Sequence, residues 1–367
     1  MRQSICLSSL PRLFDMSGVT DLFDSLDPSE DQYQVIDRLE GRLDRDMTKL
    51  LRFLTLGEAI SEEKLAKNMG KKLCAELFRL GLLTHYEDKL QLSGLSLHRY
   101  RGIWFFSDIP QPSPTLYFGK DSVALASRLY HGIGHKALDL CAGPGIQTLV
   151  LASMGYTVDS IDINPFASKL CEINASCNSL SRKITTRTGD LFSPLDSGAT
   201  FDIIVANPPL LPIPKGVPYP FVGDGGTDGL AVVRRIISGL HGRLTDQGQF
   251  LMVGMSCRDD FSIFSAAELS NALSESSLAG LMTVISSYGV ADTDPWINGV
   301  ALTSKAHSPQ STSNLQEIKE QLVKGYTQQG ATAVCTYVLR AWPSAHPGLT
   351  VRDYSGIDNY QAPWIIP

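Results

Sequence analysis

From residue 116 onward, short apolar runs alternate with segments of helical periodicity, and this alternation constrains the fold more than any other feature. Residues 135–141, 157–163, 184–188, 201–206 and 248–255 read as strands. Residues 147–154, 167–178 and 230–244 read as the helices among them. Strands separated by helices pair through crossovers, so they run mostly parallel with helices on both faces. The expected fold is α/β, a doubly wound Rossmann-like sheet. Near the end, residues 283–288 and 332–342 are rich in β formers and enclose a polar helix, 314–324, that follows a loop-like stretch at 306–314. An antiparallel pair is expected to close the sheet there.

The first 108 residues follow a different pattern. Residues 1–45 are polar and Asp-rich, with helical segments such as 32–43. Residues 47–56 are apolar at helical spacing, and Ser61 is a suitable N-cap for a helix at 62–68. A third helix at 71–83 carries Leu73, Leu77 and Leu80 on one stripe. Residues 82–86 and 89–92 flank Glu87 and Asp88 as a hairpin, giving a winged-helix-like order. Residues 101–108 read as a buried strand, and 109–115, with three prolines, as a linker. The expected organisation is a small, mostly helical domain at 1–108, a linker at 109–115 and the Rossmann-like domain at 116–367.

Composition narrows the function. Hydrophobic residues make up 43% and charged residues 19%, enough for a full core. A net charge of −6 gives no general attraction for nucleic acid. The third helix carries Lys71, Lys72 and Arg79 but also Glu76, so packing or dimerisation is expected of the small domain rather than DNA binding. No apolar run approaches the ~20 residues that span a bilayer, and no leader pattern opens the chain. A cytoplasmic protein without a membrane partner is expected. The seven cysteines include no CxxC pair and the seven histidines are scattered, so free thiols and no metal are expected.

Four motifs follow the strands in order. After the first, Asp139-Leu-Cys-Ala-Gly143-Pro-Gly145 lets the backbone turn tightly and approach a ligand. Asp162, followed by Ile163, ends the second strand, where an acid hydrogen-bonds ribose hydroxyls. The third small residue of a dinucleotide fingerprint is missing, which disfavours a dehydrogenase. Gly189-Asp190-Leu191-Phe192 can offer a carboxylate to an adenine amino group and apolar side chains to its ring. Asn207-Pro208-Pro209-Leu210 ends a buried strand, where the prolines fix the backbone and leave carbonyls open to an N–H donor.

Together these motifs resemble class I S-adenosylmethionine-dependent methyltransferases of the Asn-Pro-Pro branch. That branch includes release-factor glutamine, ribosomal RNA guanine and adenine-amine DNA methyltransferases. Residues 222–237 are similar to the release-factor group, and the small domain resembles N-terminal extensions of some bacterial relatives. The resemblance covers about 116–256. It implies S-adenosylmethionine as cofactor. Asp139, Gly143 and Gly145 would hold its methionine part, Asp162 and Ile163 the ribose side, and Asp190 and Leu191 the adenine. Asn207 and Pro208 would serve catalysis. Residues 117–122 would form a lid, with Tyr117, Phe118, Leu210 and Tyr219 facing the sulfonium or the substrate. Cys141 stands where the family has its first glycine. Leu210 stands where this branch has an aromatic that stacks on a planar acceptor, a role Tyr219 or Phe221 could take instead. The expected reaction is methyl transfer to nitrogen or oxygen of a small molecule or peptide side chain, with secondary metabolism one setting. The alternative is a cyclase, in which the cofactor's own amino group closes an azetidine-2-carboxylic acid ring and releases methylthioadenosine. A nucleic-acid modifier using the winged-helix part is the third reading.

Overall fold

The computed structural model describes residues 7–26, 32–109, 111, 113–131 and 135–356. Cys6, the first residues of the 1–45 segment, and Pro110 and Pro112 of the expected linker lie outside the described residues.

The N-terminal part holds α1 (Leu10–Ser17), α2 (Val19–Asp24), α3 (Gln32–Leu39), α4 (Arg45–Leu56), α5 (Glu62–Met69) and α6 (Lys71–Arg79). Two hairpins follow: β1 (Leu83–Tyr86) with β2 (Lys89–Leu92), and β3 (Leu95–Tyr100) with β4 (Ile103–Asp108). Asp44 starts α4 by accepting hydrogen bonds from the Asp46 and Met47 amides, the ordinary use of an acidic N-cap. Ser61 precedes α5 in extended backbone but makes no side-chain cap bond. α6 stops at Arg79, short of the expected 83, because residues 80–82 turn back into β1.

The second part begins with α7 (Lys120–Ser127) and runs β5 (Lys136–Leu140), α8 (Ile146–Ser153), β6 (Thr157–Asp162), α9 (Pro165–Cys177), β7 (Ile184–Thr188) and β8 (Phe201–Ala206). It continues with α10 (Ala231–Gly239), β9 (Leu244–Arg258), α11 (Ala266–Glu275), β10 (Leu278–Gly289), α12 (Pro295–His307), α13 (Leu315–Gln328), β11 (Ala333–Pro343) and β12 (Gly348–Asp353). The strands form one eight-stranded sheet in the order β12-β10-β11-β9-β8-β5-β6-β7. β5 to β9 are mutually parallel. β11 runs antiparallel to β9 and β10, and β12 adds a parallel edge beside β10. The expected antiparallel closure is present, with α11, α12 and α13 between its strands. The helix expected over 230–244 ends at Gly239, since Leu244 already pairs with Phe201.

Strand alternation divides the core into two faces. Along β8, Ile203 and Val205 join one cluster, and Ile204 and Ala206 the other. β4 is shared in the same way. Trp104 and Phe106 point into the N-terminal core, which also takes Leu170, Ile173 and Cys177 of α9. Ile103 and Phe105 pack toward the sheet.

Side-chain amides fasten β4 to α9. Asn174 Oδ1 accepts from the Phe106 amide at 2.8 Å, and its Nδ2 donates to the Phe106 carbonyl at 3.0 Å. One helical turn on, Asn178 repeats this with Trp104 at 2.9 and 2.6 Å. Residues i and i+4 of a helix share a face, and residues i and i+2 of a strand share an edge. Two asparagines therefore satisfy a strand edge as a further strand would. Asn174 Nδ2 also donates to the Pro144 carbonyl at 2.8 Å, which ties this joint to the turn after β5.

Candidate cofactor and substrate site

The sheet order reverses at β5: β6 and β7 lie on one side, β8 and β9 on the other. In open α/β sheets the crevice at the carboxyl ends beside such a reversal is where ligands bind. A cavity of about 440 Å³ lies there, within the range that holds a nucleoside-sized ligand. Its walls come from the residues just after β5, β6, β7 and β8, from the segment before α7, and from residues 220–222.

The turn after β5 is held from both sides. Asp139 is fully buried and does not line the cavity. Its Oδ2 accepts from the Thr148 amide at 2.9 Å and the Thr148 hydroxyl at 2.6 Å. Burial pushes its pKa up to about 7, against the opposing effect of the Thr148 bonds. Asp139 thus braces the turn from beneath through Thr148, where the resemblance had it holding the methionine part. Gly145 is also off the wall. Its φ of +93° suits glycine, and a Cβ would fall 2.4 Å from Cys171 Sγ. Gly143 does line the cavity, and its amide donates to Asp162 Oδ2 at 2.8 Å. Cys141 and Leu191 line it too, each at positive φ, 56° and 49°. Such conformations in non-glycine residues gather at ligand clamps.

Asp162 stands at the end of β6 with Ile163 beside it, both on the wall. Its Oδ1 accepts from the Asn164 amide at 2.8 Å. Burial raises its pKa, and the two backbone donors oppose that. Each carboxylate oxygen keeps a lone pair for a sugar hydroxyl. Asp190 is half exposed at the far end of the cavity and forms an ion pair with Arg235 of α10.

After β8, Asn207 and Pro209 line the cavity, while Pro208 and Leu210 are buried and do not. Leu210 packs in the core, where the resemblance had it facing the sulfonium or the substrate. The loop is locked by a partner segment: the Leu211 amide donates to the Gly223 carbonyl, and the Gly225 amide to the Leu211 carbonyl, both at 2.9 Å. A Cβ at Gly225 would lie 2.9 Å from backbone atoms of Leu210 and Gly229. The glycines of 222–229 thus let two loops pass in contact.

Of the four expected sulfonium-facing residues, only Tyr117 lines the cavity. Phe118 turns away to pack on His98 and Phe105, and Tyr219 packs against the core. Phe221, 67% exposed, supplies the other aromatic wall. Asp121 and Ser122, of the expected 117–122 lid, also line the cavity, and so do Arg235 and His307, which none of the four motifs includes. His307, at the end of α12, hydrogen-bonds the Ser113 hydroxyl at 2.7 Å across the mouth. Asp121 hydrogen-bonds Asn207. Its one sequence signal was its place in the 117–122 stretch. Asn207 Nδ2 donates to Asp121 Oδ2 at 3.0 Å and to Ser122 Oγ at 3.4 Å. Asn207 Oδ1 and Asp121 Oδ1 are buried without a hydrogen-bond partner. Among the described residues no group of three or more His, Cys, Asp or Glu could hold a metal ion. No helix among them is long and apolar enough to cross a membrane.

Residues 118–270 match the family described as methyltransferase small domain. This part of the chain is therefore similar to the methyltransferase small domain and to proteins named as glutamine methyltransferases. Among relatives, a ribosomal protein uL3 glutamine methyltransferase of Bradyrhizobium diazoefficiens is 32% identical, over 40% of this chain and 52% of that protein. A release factor glutamine methyltransferase of Clostridium acetobutylicum is 29% identical, over 42% of this chain and 56% of that protein. The chain spans about half the length of the curated relatives it matches. A 16S rRNA methyltransferase of T. thermophilus, solved with AdoMet and guanosine, is 22% identical over 60% of each chain, with a TM-score of 0.36.

Proposed function

We propose that the protein transfers a methyl group from S-adenosylmethionine to the side-chain amide nitrogen of glutamine in a protein substrate. The observation that carries this reading is the buried, unpartnered Oδ1 of Asn207 beside the cavity. An unmet acceptor costs about 1–3 kcal/mol, and an N–H of a bound amide would remove that cost. The names of the relatives support glutamine as the acceptor. They add nothing to ring closure of the cofactor or to a place in secondary metabolism.

When bound, S-adenosylmethionine supplies an electrophilic methyl group on sulfur. The residues present fit it. Asp162 offers its carboxylate to the ribose hydroxyls, with Ile163 alongside. Gly143 and Pro144 present backbone to the methionine part. Asp190 and Leu191 border the adenine end. Asn207 orients the amide nitrogen, and Pro208 fixes the backbone that carries it. Positioning of this kind supplies several kcal/mol of rate enhancement. In the proposed organisation, residues 1–108 form a helical unit, 109–115 connect, and 116–367 carry the cofactor, in a protein working in the cytoplasm. The test is incubation with methyl-labelled cofactor and glutamine-bearing fragments of uL3 and of a release factor. One methyl group on a glutamine side chain is expected by mass spectrometry. Methylthioadenosine formed from the cofactor alone, with no labelled protein, would reject the reading in favour of the cyclase.

A further inference from the structure

Asp121 opens α7 and has no part in the four motifs. Its Oδ2 accepts from Asn207 Nδ2 at 3.0 Å, and its Oδ1 is buried with no hydrogen-bond partner. Asn207 repeats the pattern, with Nδ2 engaged and Oδ1 unpartnered. Two neighbouring residues on one cavity wall thus each hold an acceptor with nothing to accept.

A primary amide carries two N–H groups, and two adjacent acceptors match that pair. They differ in chemistry. The neutral Asn207 oxygen can hold the N–H that a methylated amide keeps. A carboxylate can take the proton that leaves. We infer that Asp121 Oδ1 accepts the proton lost by the attacking amide nitrogen, an inference that rests on the glutamine reading above. In that step the nitrogen–methyl bond forms and the sulfur–methyl bond breaks. The bonding pair stays on sulfur, which becomes a neutral thioether, and the proton moves from nitrogen to Asp121.

The surroundings suit a proton acceptor. Burial raises the Asp121 pKa, against the lowering effect of Asn207 and Tyr117. Tyr117, its own pKa pushed well up by burial and by Asp121, stays a donor. Tyr219, also raised by burial, adds no charge. Cys141, Asp162, Asp190, Arg235 and His307 are the other titratable groups that line the cavity. Gly119 is shaped to this arrangement, since a Cβ there would lie 1.9 Å from the Tyr117 hydroxyl.

The experiment compares wild type with Asp121→Asn on a glutamine-bearing substrate. Calorimetric titration of S-adenosylhomocysteine checks that the site is intact. The amide variant keeps the shape and the bond to Asn207 but cannot take a proton. We expect kcat to fall ~100-fold or more, the usual contribution of a positioned base, with cofactor affinity held and the acidic limb of the kcat/KM pH profile lost. A variant that keeps its rate and its acidic limb overturns the role of Asp121 and leaves the glutamine reading standing. A wild type that methylates no glutamine overturns both.

Discussion

Asn174 is fully buried on α9 and joins three backbone groups from two parts of the chain. Replacing it with alanine strands the Phe106 amide, the Phe106 carbonyl and the Pro144 carbonyl, now held at 2.8, 3.0 and 2.8 Å. A buried polar group left unsatisfied costs about 1–3 kcal/mol. Three such groups, with some relief from entering water and backbone adjustment, put the loss at about 3–5 kcal/mol. That is a large share of the ~5–15 kcal/mol available to a folded protein. Urea unfolding followed by circular dichroism reads the loss. Asn178→Ala is the matched control, since it strands two groups on Trp104 but leaves Pro144 held. Both variants should be destabilised, and only Asn174→Ala should also weaken S-adenosylhomocysteine binding, because Pro144 lines the cavity. A shift below about 0.5 kcal/mol for Asn174→Ala, within the range of ordinary surface substitutions, would refute the reasoning.

Other perturbations follow from the same geometry. Asp162→Asn removes a charged acceptor from the ribose end and should weaken cofactor binding by ~10–100-fold, the equivalent of about 1.5–3 kcal/mol; unchanged affinity by calorimetry would rule out its sugar contact. Gly225→Ala drives a Cβ into the backbone of Leu210 and Gly229 and should cost about 1–3 kcal/mol as an overpacked contact, read as a lowered urea midpoint. Gly119→Ala drives a Cβ into the Tyr117 hydroxyl and so shifts that ring in the cavity wall; it should lower kcat about tenfold, ~1.4 kcal/mol of barrier, with the urea midpoint little changed. His98, buried between Ser96 and Ser107, has its pKa lowered by burial from 6.5 to about 3. The unfolded chain binds that proton below about 6.5 and the folded chain does not, so the stability it contributes is full above that pH and is lost as pH falls toward about 3. The slope is up to ~1.4 kcal/mol per pH unit. Asp139, raised to about 7, acts in the opposite sense between pH 4 and 7, so the effect is read as the difference between wild type and His98→Gln.

Much of the fold was legible because parallel strands buried on both faces read as continuous apolar runs, as 201–206 does. Positions 184–188 and 201–206 coincide with β7 and β8. α11 was illegible because its Ser-rich sequence resembles a loop, and only Leu269 and Leu273 are its buried hydrophobics. In β9, Thr245 to Gly248 are polar or small and fall between the Phe201–Leu244 and Ile203–Gln249 pairs, where the register shifts, so their pattern follows no strand period. β3, Leu95–Tyr100, was missed because it is short, and Ser96 and His98 are polar residues that are nevertheless buried. In the site, residues whose backbone makes the turn were readable, and those whose side chain decides a direction were not. An acid near a strand end can serve a ligand or the turn itself. Asp162 lines the cavity, whereas Asp139 bonds Thr148. Arg235 and His307 arrive from α10 and α12, and nothing local in sequence marks them as neighbours of Asp190 and Ser113.

The leucine at position 210 takes its meaning from the loop beneath it. Residues 207–211 are pinned against 223–229 by backbone hydrogen bonds and by glycines that leave no room between the two segments. Leu210 sits inside that joint, 3% exposed, so its side chain stabilises the loop that aims Asn207 and takes no part in the cavity wall. The aromatic surface comes from elsewhere, Tyr117 from the segment before α7 and Phe221 from the far side of the mouth. A planar amide could stack on either ring without any aromatic at 210. Phe221→Ala should then raise KM for a glutamine substrate with little change in cofactor affinity. Introducing an aromatic by Leu210→Phe should destabilise the protein, by about 1–3 kcal/mol as an overpacked core, without improving the reaction. If Leu210→Phe instead leaves stability intact and raises kcat, the side chain has access to the substrate, and the division of labour between the buried loop and the aromatic rim is wrong.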